Sequence, residues 1–217
     1  QAAKGRHMAE RRTLVTACIA SLACVSVMWP AMAQDDDNLV QNFDFEDGNG
    51  PWSVWVEDGG AGVDHKDDNG EAFSGKNSYM IDIFNAGGGQ RVELHQDPFL
   101  LEAGQQMTFA LWLKSDKVRP AKMIVNHRAD PWTSYGSADI MIMDGDWEEH
   151  WIPVDVTAND DIVGIYLELK DTKGVVWVDR VRFYEGEYFP EEGYGEPQAV
   201  DAHAKLALSW GSIKTDR

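Results

Sequence analysis

Two stretches decide the fold: Phe109-Ala110-Leu111-Trp112-Leu113-Lys114 and Ile165-Tyr166-Leu167-Glu168-Leu169-Lys170. In each, large apolar side chains recur at every second residue. That period belongs to a β-strand with one buried face. In the first stretch Phe109, Leu111 and Leu113 point one way, and Ala110, Trp112 and Lys114 the other. In the second the aliphatics bury, which turns Tyr166, Glu168 and Lys170 outward. A tyrosine and a carboxylate side by side on an outward face are unusual for a plain solvated surface. They mark it as a candidate binding face.

Working outward, the same grammar recurs. Strands are predicted at Leu39–Phe45, Trp52–Val56, Ser78–Phe84, Gln90–Gln96, Gln106–Ser115, Lys122–Arg128, Ala138–Met143, Trp147–Val156, Ile162–Leu169 and Val175–Tyr184. Breakers separate them: Gly48-Asn49-Gly50-Pro51, Gly59-Gly60, Gly87-Gly88-Gly89, Asp144-Gly145 and Asp171 to Gly174. Many short strands without a helical period mean an all-β sandwich or barrel. Their alternation predicts one wet face on each sheet. Glu185–Gln198 is acidic and rich in Gly and Pro, so 187–217 is expected to be linker and a short C-terminal tail. Leu206, Trp210 and Ile213 could line one face of a short helix there.

The start of the chain reads differently. Arg11-Arg12 precede an apolar run from Leu14 to Trp29, and Ala31-Met32-Ala33 follows. A basic region, an apolar run and an A-x-A site make a secretory signal peptide, with cleavage expected after Ala33. Residues 1–33 are therefore leader plus upstream residues, and 34–37 an acidic lead. A secreted, periplasmic or cell-surface location follows, with no membrane insertion after cleavage. Both cysteines, Cys18 and Cys24, leave with the leader, which excludes disulfides and thiol chemistry from the mature chain.

Charge narrows the partners. The whole chain carries 19 Lys plus Arg against 37 Asp plus Glu, a net of −18. The leader holds Lys4, Arg6, Arg11 and Arg12 against Glu10, so residues 34–217 keep 15 basic and 36 acidic residues, a net of −21. Such a surface repels phosphate and excludes nucleic acid and anionic membranes as natural partners. It also disfavours heavily sulfated or pectic ligands unless Arg91, Arg128 and Lys122 make a local basic patch.

Beyond alternation, a series of short motifs runs through the chain. Asn38-Leu39-Val40-Gln41-Asn42-Phe43-Asp44-Phe45-Glu46 opens it, followed by Phe73-Ser74-Gly75-Lys76-Asn77-Ser78 and Leu101-Glu102-Ala103-Gly104. Asp146-Trp147 and Gly174-Val175-Val176-Trp177-Val178-Asp179-Arg180-Val181 complete it. In order and spacing this series resembles the carbohydrate-binding modules of the family 4/9 (CenC-type) and family 22 kind, over residues 38–186. The resemblance implies a jelly-roll β-sandwich of two antiparallel sheets, galactose-binding-domain-like, that binds a polysaccharide such as β-glucan or xylan as a monomer.

The resemblance further implies a structural calcium ion. Glu46 and Asp179 match the side-chain ligand positions, and backbone carbonyls of Asp44, Asp179 and the Ser74–Lys76 turn would supply further oxygens. Calcium's demand for six to eight hard oxygens agrees with that mixture. Ordinary strand-end acids are the alternative reading of Glu46 and Asp179.

The sugar cleft is implied on the concave sheet. Tyr166 and Glu168 match sugar-contacting positions of xylan-binding relatives. Stacking on pyranose C–H faces and hydrogen bonding to hydroxyls suit such a pair on physical grounds alone. Trp55, Arg91, His127, Trp132 and Tyr135 are expected to border the cleft. Trp147, Trp151 and Trp177 sit among strand aliphatics and are assigned to packing, whereas Trp112 is open to either role. Gly87-Gly88-Gly89 stands where several relatives carry an aromatic, which shifts the expected site or glycan.

Catalytic motifs are absent from the sequence. There is no Glu-x-Asp-x-x-Glu cluster on a strand, no H-E-x-x-H and no G-x-S-x-G. A non-catalytic binding module is the leading expectation. A small jelly-roll glycoside hydrolase or lyase, and a cell-surface structural or adhesion domain, are the alternatives.

Overall fold

The computed structural model describes residues 37–58, 60–88, 91–169 and 172–191, and the backbone of Gln198–Ala199. The expected leader, Gly89, Lys170 and the tail residues Leu206, Trp210 and Ile213 lie outside the described residues.

The strands are β1 (Ser53–Val56), β2 (Gly62–Asp68), β3 (Ser78–Asn85), β4 (Val92–Leu101), β5 (Gln106–Ser115), β6 (Arg119–His127), β7 (Ser134–Ile142), β8 (Glu148–Asp155), β9 (Asp160–Leu169), β10 (Gly174–Glu185) and β11 (Gln198–Ala199). One sheet runs β1-β4-β9-β6-β7, the other β11-β8-β5-β10-β3-β2. All pairings are antiparallel except the two-residue β11, which lies parallel on β8.

The inner faces of the sheets make one core, so the fold is the β-sandwich that the alternation predicts. Val92, Leu94, Met123, Val125, Ile140, Ile165 and Leu167 come from one sheet. Ile81, Ile83, Phe109, Leu111, Leu113, Val178 and Phe183 come from the other. Phe183 meets Phe99 across the core edge to face, with centroids 5.2 Å apart. Fully burying each such side chain contributes about 1.5–3 kcal/mol, which makes this layer the main source of stability.

Four features differ from the sequence expectations. Leu39–Phe45 is irregular, with a turn over residues 41–44, rather than a strand. Asn42 and Phe45 take left-handed φ values of 48° and 55°, which breaks any extended run. The segment instead completes β10 past its pairing with β3: Leu39 N–H donates to Phe183 O, and Val181 N–H to Phe43 O. Conversely, Gly62–Asp68 is a strand that its sequence, GVDHKDD, conceals. As an edge strand it buries little, so no apolar alternation is required of it.

The third difference is the outer face of the six-stranded sheet, which is covered rather than wet. Trp112 is 4% exposed and stacks on Phe73 with centroids 3.8 Å apart. Trp147, Trp151 and Trp177 are half-buried, and they pack over this outer face rather than between the sheets. The fourth is that residues 187–191, expected as linker, form part of that cover. Tyr188 stacks on Trp151 at 4.4 Å and donates to Glu149 Oε2 at 2.7 Å. Glu149 is also bonded to Arg182, and both are buried.

Candidate functional site

The outer face of the five-stranded sheet is organised in rows set by strand register. Trp55 on β1 lies opposite Glu93 on β4, Glu93 opposite Glu168 on β9, and Glu168 opposite Lys122 on β6. The neighbouring row is Ser53, His95, Tyr166 and Ile124. The parity that buries Leu167 and Leu169 also fixes Tyr166 and Glu168 on this face.

Here a groove of about 590 Å³ opens, lined by Trp55, Arg91, Glu93, Ile124, Asn126, Arg128, Trp132 and Tyr166. Trp55 is 41% exposed and Trp132 54% exposed. Two large indoles open to solvent on one groove are costly unless something covers them. Trp132 also takes a left-handed φ of 57°, held by its N–H bond to Ala129 O. A bulky side chain kept in that region is a strained feature of the kind that clusters at ligand sites.

Tyr166 and Glu168 form the floor and are only 4% and 5% exposed. Arg128 Nη1 donates to Tyr166 Oη at 2.5 Å, and its guanidinium lies 5.1 Å from the Tyr166 ring centroid. Arg128 Nε sits 3.0 Å from Asp97 Oδ2. Arg91 lies 5.4 Å from the centroid of Trp55 and holds three carboxylates: Glu57 at 3.2 Å, Glu93 at 3.4 Å and Glu168 at 3.9 Å. Burial pushes the Glu93 carboxyl up, while Arg91 pulls it back. Four acids, Glu57, Glu93, Glu168 and Asp97, thus surround two arginines, an arrangement that favours neutral ligands over anions.

The structure brings Trp55, Arg91, Trp132 and Tyr166 together, and sets Glu168 below Arg91. It places His127 and Tyr135 elsewhere. His127 Nδ1 and Tyr135 Oη both lie 2.8 Å from Asp160 Oδ2, and Tyr135 is buried. Burial works to raise Asp160, but bonds from Ile162 N–H, His127 and Tyr135 outweigh it and hold its carboxyl below the usual range. This trio ties the end of β6 to the starts of β7 and β9. Ile124 and Asn126 are groove residues that the sequence reading missed. Parity would have found them, since burying Met123 and Val125 turns Lys122, Ile124, Asn126 and Arg128 outward.

A second acidic feature joins the two ends of the domain. Glu46 Oε1 accepts from Lys76 N–H at 2.6 Å and Asn77 N–H at 2.8 Å. Asp179 Oδ2 accepts from Phe73 N–H at 2.9 Å and Ser74 N–H at 3.0 Å. Both carboxylates therefore grip one turn. Gly75 (φ 69°) is needed there, because a β-carbon would stand 2.4 Å from Glu46 Oε1. Asp179 is fully buried, and burial pushes it up to about 7 against the pull of its backbone donors. Asp44 stands beside them through its Oδ1, 3.4 Å from Glu46 N. Among the described residues no three His, Cys, Asp or Glu side chains converge as a metal cluster. Carboxylate oxygens are of the kind a hard cation takes, and here both carboxylates are engaged by backbone N–H groups of the turn.

No known family model and no curated protein matches this sequence. Solved structures do share the fold. A CBM4 structure matches with a TM-score of 0.55 at 20% identity, over 68% of this chain and 99% of its own. CBM61, solved in complex with β-1,4-galactotriose, matches with a TM-score of 0.52 at 17% identity, over 69% and 99%. The CBM22-1 xylan-binding domain from Paenibacillus barcinonensis matches with a TM-score of 0.50 at 15% identity, over 66% and 91%. The chain has the β-sandwich fold of these carbohydrate-binding modules.

Proposed function

We propose that this protein is a secreted, non-catalytic carbohydrate-binding module that holds a neutral polysaccharide chain in the groove of the five-stranded sheet. The observation that carries the reading is the pairing of two exposed indoles, Trp55 and Trp132, with the polar floor of Tyr166, Arg128 and Glu93. Indoles cover the apolar faces of sugar rings, and the floor meets their hydroxyls. A shared fold with sugar-binding modules adds to this, and fold alone does not assign function. Arg91 and Arg128, already bound to carboxylates, orient the aromatics by lying across Trp55 and Tyr166.

Calcium belongs to the same proposal. Glu46 and Asp179 would hold it, with carbonyls of Asp44, Asp179 and the Ser74–Lys76 turn. Bound there, it would neutralise a buried carboxylate and tie the N-terminal segment to β10. The leader supports export, with Ala33 as the last residue removed.

Electrophoresis of the mature chain through gels containing β-glucan, xylan or mannan tests the function. Retarded migration without release of reducing ends is the expected result. Release of reducing ends would favour a hydrolase, and unretarded migration in every gel a scaffold. For calcium, the melting temperature should fall in chelator, and Glu46→Ala and Asp179→Ala should each abolish the difference. Identical melting curves for the parent chain in calcium and in chelator would remove the metal.

A further inference from the structure

One oxygen of Asp97 serves two basic side chains of the groove floor. Arg128 Nε lies 3.0 Å from Asp97 Oδ2, and His95 Nε2 lies 3.7 Å from the same atom. The arginine contact is a close ion pair, whereas the histidine distance is longer than a hydrogen bond. Both basic side chains also meet at Tyr166. Arg128 Nη1 donates to Tyr166 Oη, and its guanidinium lies 5.1 Å from the ring centroid. The His95 ring lies 5.7 Å from the same ring, inclined by 30°, because β4 pairs with β9 so that His95 stands opposite Tyr166.

The surroundings of His95 oppose a charge on it. Its side chain is 14% exposed. Glu93 and Asp97 flank it on its own strand, Tyr166 faces it from β9, Arg128 reaches it from just past β6, and Ser53, opposite on β1, carries no charge. Two nitrogens that share Asp97 Oδ2 stand no more than about 7 Å apart, inside the screening length of physiological salt, about 8 Å. Burial first and the Arg128 charge second hold the His95 pKa below 6.5, against the pull of Asp97. Such coupling is reciprocal. Arg128 disfavours the proton on His95, so that proton disfavours Arg128 in its place on Tyr166. A glycan lying over Tyr166 takes still more water from His95, which acts in the same direction.

We propose that Asp97 and His95 are positioning residues that make glycan binding depend on pH. With His95 neutral, Asp97 holds Arg128 on Tyr166 and the groove floor is set. Protonation of His95 sets a second cation against Arg128 and draws Asp97 toward the imidazolium. The groove thus holds its glycan at neutral pH and releases it in weak acid. The sign follows from the proton count: the free protein takes up the His95 proton more readily than the glycan-bound protein. Affinity is therefore full above the His95 pKa and is lost as pH falls through it. This inference rests on the carbohydrate-binding reading above.

The test is calorimetric titration of the mature chain with cellohexaose, xylohexaose and mannohexaose at about pH 7.5 and about pH 5, either side of the histidine range. Parent affinity should fall by roughly tenfold, the factor that one unit of pKa difference between free and bound protein gives. His95→Gln should bind within about twofold at the two pH values, and His95→Phe serves if the glutamine variant does not fold. Glu93→Gln removes the other floor group that burial pushes up, and should keep the fall. Asp97→Asn should bind more weakly than the parent at the higher pH, by loss of the hold on Arg128. A proton NMR titration of the parent should place the His95 midpoint lower with glycan than without it. Melting curves at both pH values show that each variant is folded. Equal parent affinity at the two pH values, a fall that survives in a folded His95 variant, or parent-like affinity in Asp97→Asn would overturn the proposal while leaving the binding-module reading intact. Absence of binding to all three oligosaccharides at the higher pH would overturn both.

Discussion

Gly164 lies under the phenol of Tyr166. A β-carbon on Gly164 would stand 2.7 Å from Tyr166 Oη and 2.9 Å from its ring. The missing side chain on β9 is what lets the tyrosine lie down into the groove floor, where Arg128 and the His95 ring, 5.7 Å away, hold it.

Gly164→Ala is therefore expected to push Tyr166 out of the floor and break its bond to Arg128. Overpacking of this kind costs about 1–3 kcal/mol. Chemical denaturation should show that loss, and polysaccharide affinity should fall with it.

Tyr166 itself separates shape from hydrogen bonding. Tyr166→Ala is expected to cost about 3 kcal/mol of stability, since it empties a nearly closed site. Tyr166→Phe keeps the ring and gives up only the Arg128 bond, about 1 kcal/mol. Denaturant midpoints of the two variants check the ordering.

His150 makes stability depend on pH. It is 3% exposed, both ring nitrogens lack a hydrogen bond, and its nearest carboxylate, Glu148, is 3.9 Å away. Burial pushes its pKa down to about 4 from 6.5. Between those values the unfolded chain binds the proton and the folded chain does not. The contribution is thus fully present above about pH 6.5 and is lost as pH falls through about 4. It amounts to something on the order of 3 kcal/mol. His150→Leu should flatten this acid limb in melting curves taken from pH 7 to 4. An unchanged limb would place the titrating group elsewhere.

The cover over β8 and β10 sets the end of the domain. A chain stopped after Gly186 loses Tyr188 and leaves Trp151 and the buried Glu149–Arg182 pair open to water. It should melt lower than a chain stopped after Glu191, with red-shifted tryptophan fluorescence. Equal melting points would mean the cover adds nothing.

Much of the sandwich was legible because core strands must alternate. Alternation predicts Gln106–Ser115 with the bounds the structure shows, and it predicts the faces of Ile165–Leu169. Alternation fails where burial is not what makes a strand. Asp64, His65 and Lys66 form β2 through backbone pairing with β3, with His65 Nδ1 2.8 Å from Tyr79 Oη, and not through apolar burial. Leu39–Phe45 fails in the opposite sense: Val40 and Phe45 are buried, but from an irregular segment. At the groove, parity gave the face of Tyr166 and Glu168 but not their depth. Depth depends on Arg91 and Arg128, which reach over them from other positions. Tyr135 and His127 meet at Asp160, which lies 25 or more residues further along the chain, and alternation within one strand does not reveal such a partner.

The most direct measurement is calorimetric titration of the mature chain with an oligosaccharide series from the best-retarding polysaccharide, alongside Trp55→Ala, Trp132→Ala and the double variant. The account predicts affinity that grows with chain length until the groove is filled. Each single variant should lose about 1–3 kcal/mol of binding, and the double variant should show no measurable heat, with melting temperatures close to the parent's. Full affinity in the double variant would contradict it.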